Sequence, residues 1–216
     1  QLCRDRKMPI LGRLGMNRHY GGRSSAAVTS QFAFYNPQFH ERTRDGKRIS
    51  SRMCYGIEDV RQERIDILLE VQRIGVDALV LDFCRQMPMV MYHDVVVGAF
   101  IQLTGNDPRK IYSNDAEDYR EWFQFRADVM TGFMQHLRES VKAQEAEIGR
   151  PCPIIARVPD NSPWLMTAYA LDIERWCADD LIDGLMLSPF QIYRDDNERY
   201  HEYHIAVAHR HGKSCI

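Results

Sequence analysis

The sequence predicts an α/β fold of the (β/α)8 barrel type, with about five of its strands visible in 216 residues. Three observations predict it. Short apolar runs alternate with helix-patterned segments, which implies parallel βαβ units. The runs are apolar nearly throughout, as befits a sheet covered on both faces. Polar residues gather just after the C-terminal ends of these runs, where a barrel presents its chemistry. An open doubly wound sheet would give the same alternation. Its nucleotide-binding form lacks support, because no G-x-G-x-x-G follows the first strand and no P-loop is present. No cofactor is therefore expected.

The elements follow in order. Pro9–Met16 reads as a short strand. A helix spans Asp59–Ile74, with Val60, Ile67, Leu68, Val71 and Ile74 on one stripe and Arg61, Glu63, Arg64 and Glu70 largely off it. Val76–Phe83 is the next strand. A long helix covers Ala116–Ile148, with Trp122, Phe125, Val129, Phe133, Leu137 and Val141 at helical spacing, until Gly149-Arg-Pro ends it. Pro153–Val158 is a strand. Asp172 is a candidate N-cap for a short helix carrying Ile173, Trp176 and Cys177. Ile182–Phe190 is a strand, Glu198–His211 a helix, and Lys213–Ile216 begins a further strand. Two connections are long, Tyr20–Gly56 and Cys84–Asp115, the second with a short helix over Val95–Leu103. Long connections in a compact domain tend to be functional, and both of these leave strand C-termini.

Bulk composition narrows the function classes. The chain is 44% hydrophobic and 27% charged with a formal net charge of -2. That size and composition suit one domain, here 1–216, with a substantial core. The charge balance argues against nucleic acid or an anionic membrane as the main partner. No apolar run reaches the roughly 20 residues that span a bilayer. The chain opens on Gln1 and closes on a strand-like Gly212–Ile216, so both ends read as cut and localisation is left open. Oligomeric state is also left open. Six cysteines occur without a C-x-x-C pair, and buried reduced thiols are expected rather than disulfides.

The candidate site is assembled from strand ends. The first strand supplies Arg13, Asn17 and His19; the second supplies Asp82 and Arg85, with Tyr92, His93 and Asp94 in its loop. The third supplies Arg157 and Asp160, and the fourth Ser188, Gln191 and Tyr193. A buried strand over Val76–Phe83 has no packing need for Asp82; the plain alternative is a strand-end ion pair with a neighbouring arginine. Polar groups interspersed with Tyr20, Tyr92 and Trp164 suit a sugar. Glycosidic cleavage needs one charged carboxylate and one carboxylic acid. Asp82 is the expected charged partner, kept ionised by Arg85 or Arg157. Asp160 is the candidate acid, with an ordinary turn in VPDNSP as its alternative; Asp94 is another candidate, and an acid on a strand outside this chain is a third. Arg13, Asn17, His19, Arg85, Tyr92 and Arg157 are the expected substrate contacts. His201-Glu-Tyr-His204 has the wrong spacing for H-E-x-x-H, and a solvated helix face is expected there instead of a metal site. Asp107-Pro-Arg109 reads as a capped turn.

Three stretches carry a family resemblance. Val60–Arg85 (VRQERIDILLEVQRIGVDALVLDFCR), Ala170–Ser188 (ALDIERWCADDLIDGLMLS) and Asn36–Lys47 (NPQFHERTRDGK) resemble segments of the uncharacterised glycosyl-hydrolase-like barrel proteins of the glycosidase superfamily. The resemblance touches most of residues 9–190. It implies a (β/α)8 barrel with Asp82 on the catalytic face, at the strand where several glycosidase clans keep their nucleophile. It supplies neither an acid/base residue nor a substrate. About five strands are visible where a complete member has eight. The expected activity is that of a glycoside hydrolase. The alternatives are a carbohydrate-binding protein on the same barrel, lacking a second carboxylate in reach, and a metal-dependent barrel isomerase or lyase.

Overall fold

A computed structural model of the chain describes residues 2–19, 30–112, 116–188 and 200–216. Its centre is a parallel sheet of five strands: β1 (Leu11–Gly15), β4 (Ala78–Asp82), β5 (Ile154–Pro159), β6 (Gly184–Ser188) and β7 (Ser214–Cys215). Every neighbouring pair is parallel, and spatial order follows chain order. A doubly wound sheet reverses its strand order at a switch point; this sheet does not. The described strands form an open sheet, with β1 and β7 at its edges.

One face of the sheet is covered by helices. Leu79, Leu81 and Phe83, then Ile154, Ala156 and Val158, then Leu185, all join one buried core. The core is completed by Ile65 and Leu68 of α3 (Glu58–Ile74), by Met130, Phe133, Met134, Leu137 and Val141 of α5 (Arg120–Ile148), by Trp176 of α7 (Ile173–Ala178) and by Val207 of α8 (His201–Arg210). Because side chains alternate along a strand, Val80, Asp82, Ile155, Arg157, Arg13 and Gly15 belong to the other face. The sheet therefore has an apolar helix-covered side and a second side that becomes charged toward the strand C-termini.

Helix ends follow ordinary capping physics. The first turn of α3 carries Glu58 and Asp59 and its last turn Arg73, matching the macrodipole. Gly75 closes it with φ 106°, a conformation that favours glycine. The stripe of α3 differs from the expected one. The buried positions are Val60, Arg64, Ile65, Leu68 and Gln72, while Ile74 is exposed. Two polar side chains are buried because each has a specific partner. Gln72 Oε1 accepts from Gln144 Nε2 of α5 at 2.8 Å, and Arg64 turns toward His19. Hydrophobic periodicity cannot register such pairings.

The first long connection is ordered where it is described. It holds α2 (Gln31–Tyr35) and an antiparallel hairpin of β2 (His40–Arg42) and β3 (Arg48–Met53), none of which the sequence pattern predicted. The hairpin bridges two strand-end loops. His19 N–H, beyond β1, donates to Ser51 O at 3.0 Å, and Tyr92 N–H, beyond β4, donates to Arg42 O at 3.1 Å. Glu41 is fully buried under this bridge and accepts from Met91 N–H at 3.1 Å; burial pushes its carboxyl up to about 7. In the second connection, α4 (Asp94–Thr104) matches the expected short helix. A further short helix, α6 (Pro163–Ala168), starts on the last residue of VPDNSP; Ser162 caps it and Pro163 fills its first turn. All six cysteines are unpaired thiols. Burial pushes the Cys84 and Cys177 thiols up to about 11, so both stay protonated at neutral pH.

The approach of α3 to β1 depends on Gly12. A Cβ there would lie 2.4 Å from Val71 Cγ1, a stiff β-branched neighbour. Gly12→Ala is expected to lower stability by about 1–3 kcal/mol through overpacking, read as a lower urea midpoint with an unchanged slope.

Candidate functional site

Four strands deliver side chains to one level of the uncovered face. In the β1–β4–β5 register, Gly15 pairs with Asp82 and Asp82 with Arg157. Asp82 ends β4 and is 2% exposed. Its Oδ1 accepts from Arg157 Nη1 at 2.8 Å and from the Cys84 backbone N–H at 3.0 Å. Its Oδ2 accepts from Arg13 Nε at 2.9 Å and also from Arg13 Nη2. Arg157 Nη2 continues the chain to Ser188 Oγ at 2.6 Å. A line of hydrogen bonds thus runs Arg13–Asp82–Arg157–Ser188 across β1, β4, β5 and β6.

Burial alone would raise the Asp82 pKa. The Cys84 N–H and the two guanidiniums outweigh it, so the carboxyl is held below its ordinary value. The ion pair anticipated as the plain reading of Asp82 is therefore present twice, and neither partner is the sequence neighbour Arg85.

The ends of β1 and β4 open into a cavity of about 710 Å³. Arg13, Asn17, His19, Asp82 and Arg85 of the expected set stand on its wall. Gly15 has open space where a Cβ would be, which keeps the mouth above Asp82 wide.

A second wall comes from α3. Arg64 Nε donates to His19 Nε2 at 2.8 Å. A guanidinium has no lone pair to offer, so Nε2 must be the acceptor and the imidazole proton sits on Nδ1. Burial, opposed by Glu63 and reinforced by Arg64, lowers the His19 pKa to about 4 and keeps the ring neutral. Nδ1 has no hydrogen-bond partner among the described residues. Glu63 Oε2 lies 3.0 Å from Arg64 Nε and 3.6 Å from His19 Nε2, held by charge while the Arg64 hydrogen points at the ring. Although burial opposes it, the contacts of Glu63 with His19 and Arg64 leave its pKa lowered. Asn17 is 4% exposed, and neither its amide nitrogen nor its oxygen has a partner among the described residues.

Other expected residues are elsewhere. Tyr92 packs at a tilt against Trp122, 5.4 Å between ring centroids, and is not on the cavity wall. Trp164 meets Phe123 edge-on, also away from the cavity. Asp160 Oδ1 accepts from Tyr200 N–H at 3.0 Å at the start of α8, with His201 Nδ1 3.8 Å from Oδ2. Its carboxylate is engaged in tying the β5 end to α8. Tyr20, Gln191 and Tyr193 lie outside the described residues. His204 is buried and bonds Asn161 O at 2.8 Å, so the solvated face expected of that helix holds for His201 and not for His204.

Sequence reasoning missed Arg18, Glu63 and Arg64. Arg18 lies inside the Asn17–His19 run and was open to notice. Glu63 and Arg64 are about 45 residues from His19, and only the folded course of α3 connects them.

Comparison with solved structures identifies glycosidase-like folds. The chain superposes on the β-amylase catalytic domain of Paenibacillus polymyxa with a TM-score of 0.61 at 10% identity, covering 98% of this chain and 70% of that one. It superposes on the β-galactosidase of the psychrophilic Marinomonas ef1 with a TM-score of 0.60 at 9% identity, covering 91% of this chain and 38% of that one. The chain thus spans well under half the length of the β-galactosidase it matches. No family model matches the chain, and no curated protein matches it. Likeness at this identity establishes the fold: an α/β chain with a five-stranded parallel sheet of the kind found in glycoside hydrolase barrels.

His19 supplies a test by pH. Its folded pKa lies below the unfolded value of 6.5, so the unfolded chain binds more protons between those two values. Stability therefore falls as pH drops from 6.5 toward 4, by roughly 3 kcal/mol for this group. His40 and His204, also lowered by burial, add to the same slope. His19→Gln is expected to reduce the slope in that window, measured by urea denaturation at pH 7, 5.5 and 4.5.

Proposed function

We propose that this chain is the core of a glycoside-hydrolase-like barrel and that it acts on a carbohydrate held over the ends of β1 and β4. The observation that carries this reading is Asp82: a carboxylate 2% exposed yet held below its ordinary pKa, at a strand C-terminus opening on a cavity. Barrel enzymes place their chemistry at that end of the strands. The fold shared with a β-amylase and a β-galactosidase favours carbohydrate over other barrel substrates, as an analogy of fold.

In this reading Asp82 supplies fixed negative charge beneath a sugar ring whose anomeric carbon becomes positive as the glycosidic bond breaks. Arg13 and Arg157 hold the carboxylate in place and ionised. Because both its oxygens already accept two hydrogen bonds each, electrostatic stabilisation suits Asp82 better than nucleophilic attack. Asn17 and His19 line the cavity and carry buried polar atoms without partners among the described residues, which a sugar hydroxyl entering between them would satisfy. Asp160, committed to α8, is assigned a structural part.

That commitment of Asp160 also favours a second reading, a carbohydrate-binding site without turnover. The two separate on assay of the purified chain against aryl glycosides and polysaccharides, with release of reducing sugar as the signal. For a hydrolase, Asp82→Asn should cut kcat by about 10²–10³-fold, the cost of removing one preorganised electrostatic group, with little change in KM and an unchanged circular dichroism spectrum. Turnover that survives Asp82→Asn would contradict the role given to Asp82. Binding of a polysaccharide without turnover would select the second reading.

A further inference from the structure

We infer that the sugar site continues out of the cavity into a second groove along α3 and takes an oligosaccharide of at least two linked units. This rests on reading the cavity as a carbohydrate site and adds the length of the ligand. The first support is continuity. A groove of about 390 Å³ is lined by Phe32 of α2 and by residues of α3. Glu63 and Ile67 stand on its wall and on the cavity wall as well, so the two spaces adjoin. Ser30, which caps α2, is also on the cavity wall. At about 710 Å³ and 390 Å³, each space has the size of a small-molecule site.

The second support is the apolar lining. Phe32 and Ile67 are partly buried and give the groove one aromatic and one aliphatic surface. Phe32 packs on Phe39, 6.1 Å between ring centroids, which holds its ring in place. Such surfaces suit the apolar face of a pyranose. The third support is the carboxylates. Asp59, Glu63, Asp66 and Glu70 follow one another at steps of four, three and four residues, so they share one face of α3. Like charges at that spacing destabilise a helix. Arg64 balances Glu63 from the cavity side, 3.0 Å away. No lysine, arginine or histidine lines the groove among the described residues, and none of the described carboxylates group closely enough to hold a metal ion. Carboxylates only accept hydrogen bonds, whereas each sugar hydroxyl brings an O–H to donate. An apolar floor edged by acceptors, adjoining the cavity, fits the next sugar of a chain.

Isothermal titration of the chain against two length series tests this: glucose, maltose and maltotetraose, then galactose, galactobiose and galactotetraose. In at least one series the tetrasaccharide should bind about ten-fold more tightly than the monosaccharide. Phe32→Ala should cut that ratio about five-fold, the scale of one lost aromatic contact. Asp66→Asn should lower the same ratio without lowering the melting temperature, since it removes a like charge four residues from Glu70. It carries the test if Phe32→Ala fails to fold. Monosaccharides that bind as tightly as their tetrasaccharides would overturn the inference and leave the cavity site standing. A length gain that both variants leave intact would also overturn it, because the sugar chain would then leave the cavity by another path. Failure of every sugar in both series to bind would remove the inference and the reading beneath it.

Discussion

A carboxylate at 2% exposure stays charged only if its surroundings replace the water it has lost. At Asp82 the replacement comes from a guanidinium on each neighbouring strand and a backbone N–H two residues on. Each contact needs the parallel register of β1, β4 and β5, since a slip of one residue would send Asp82 to the helix-covered face. The converse also holds. Two arginines that face each other across β4 would repel without Asp82 between them. The charged line Arg13–Asp82–Arg157–Ser188 is therefore both a product of the sheet and a constraint on it, and the cavity is placed by it.

The second organising feature is the bridge built by the first long connection. The β2–β3 hairpin ties the loop after β1 to the loop after β4 through main-chain hydrogen bonds. Glu41 lies beneath the bridge, fully buried and shifted toward neutrality. The hairpin and α3 both hold His19, and the amide of Asn17, Nδ1 of His19 and Oε2 of Glu63 are left without hydrogen-bond partners among the described residues of the cavity wall. Leaving such groups unmatched costs stability. On the proposed carbohydrate reading, keeping them beside the cavity gives up some stability for recognition, the trade usual at binding sites.

Much of this was legible in the sequence, for identifiable reasons. The strands were readable because each is a short apolar run between breakers, and α5 because its apolar residues repeat over many turns. Asp82 stood out because nothing about a buried strand calls for a carboxylate. Arg13 and Arg157 could be placed near it because parallel neighbours share one rim. What stayed hidden depends on long-range pairing. Arg64 and Gln72 occupy the buried side of α3 because His19 and Gln144 meet them there, and a hydrophobic pattern counts both as solvent-facing. Asp160 in VPDNSP reads either as an acid or as a turn residue, and only the fold shows Tyr200 N–H at the start of α8 donating to its Oδ1. The β2–β3 hairpin has too few residues per strand, and too many charged ones, to show an alternating pattern.

The most direct measurement is the titration of Asp82 itself, by carbon-detected NMR of the side-chain carboxyl in the intact chain and in Arg157→Met. A midpoint below the ordinary aspartate value of about 3.9, moving upward in the variant, is the expected result. A midpoint at or above that value, or one indifferent to Arg157, would mean that the two guanidiniums do not hold the charge, and the site built around Asp82 would lose its foundation.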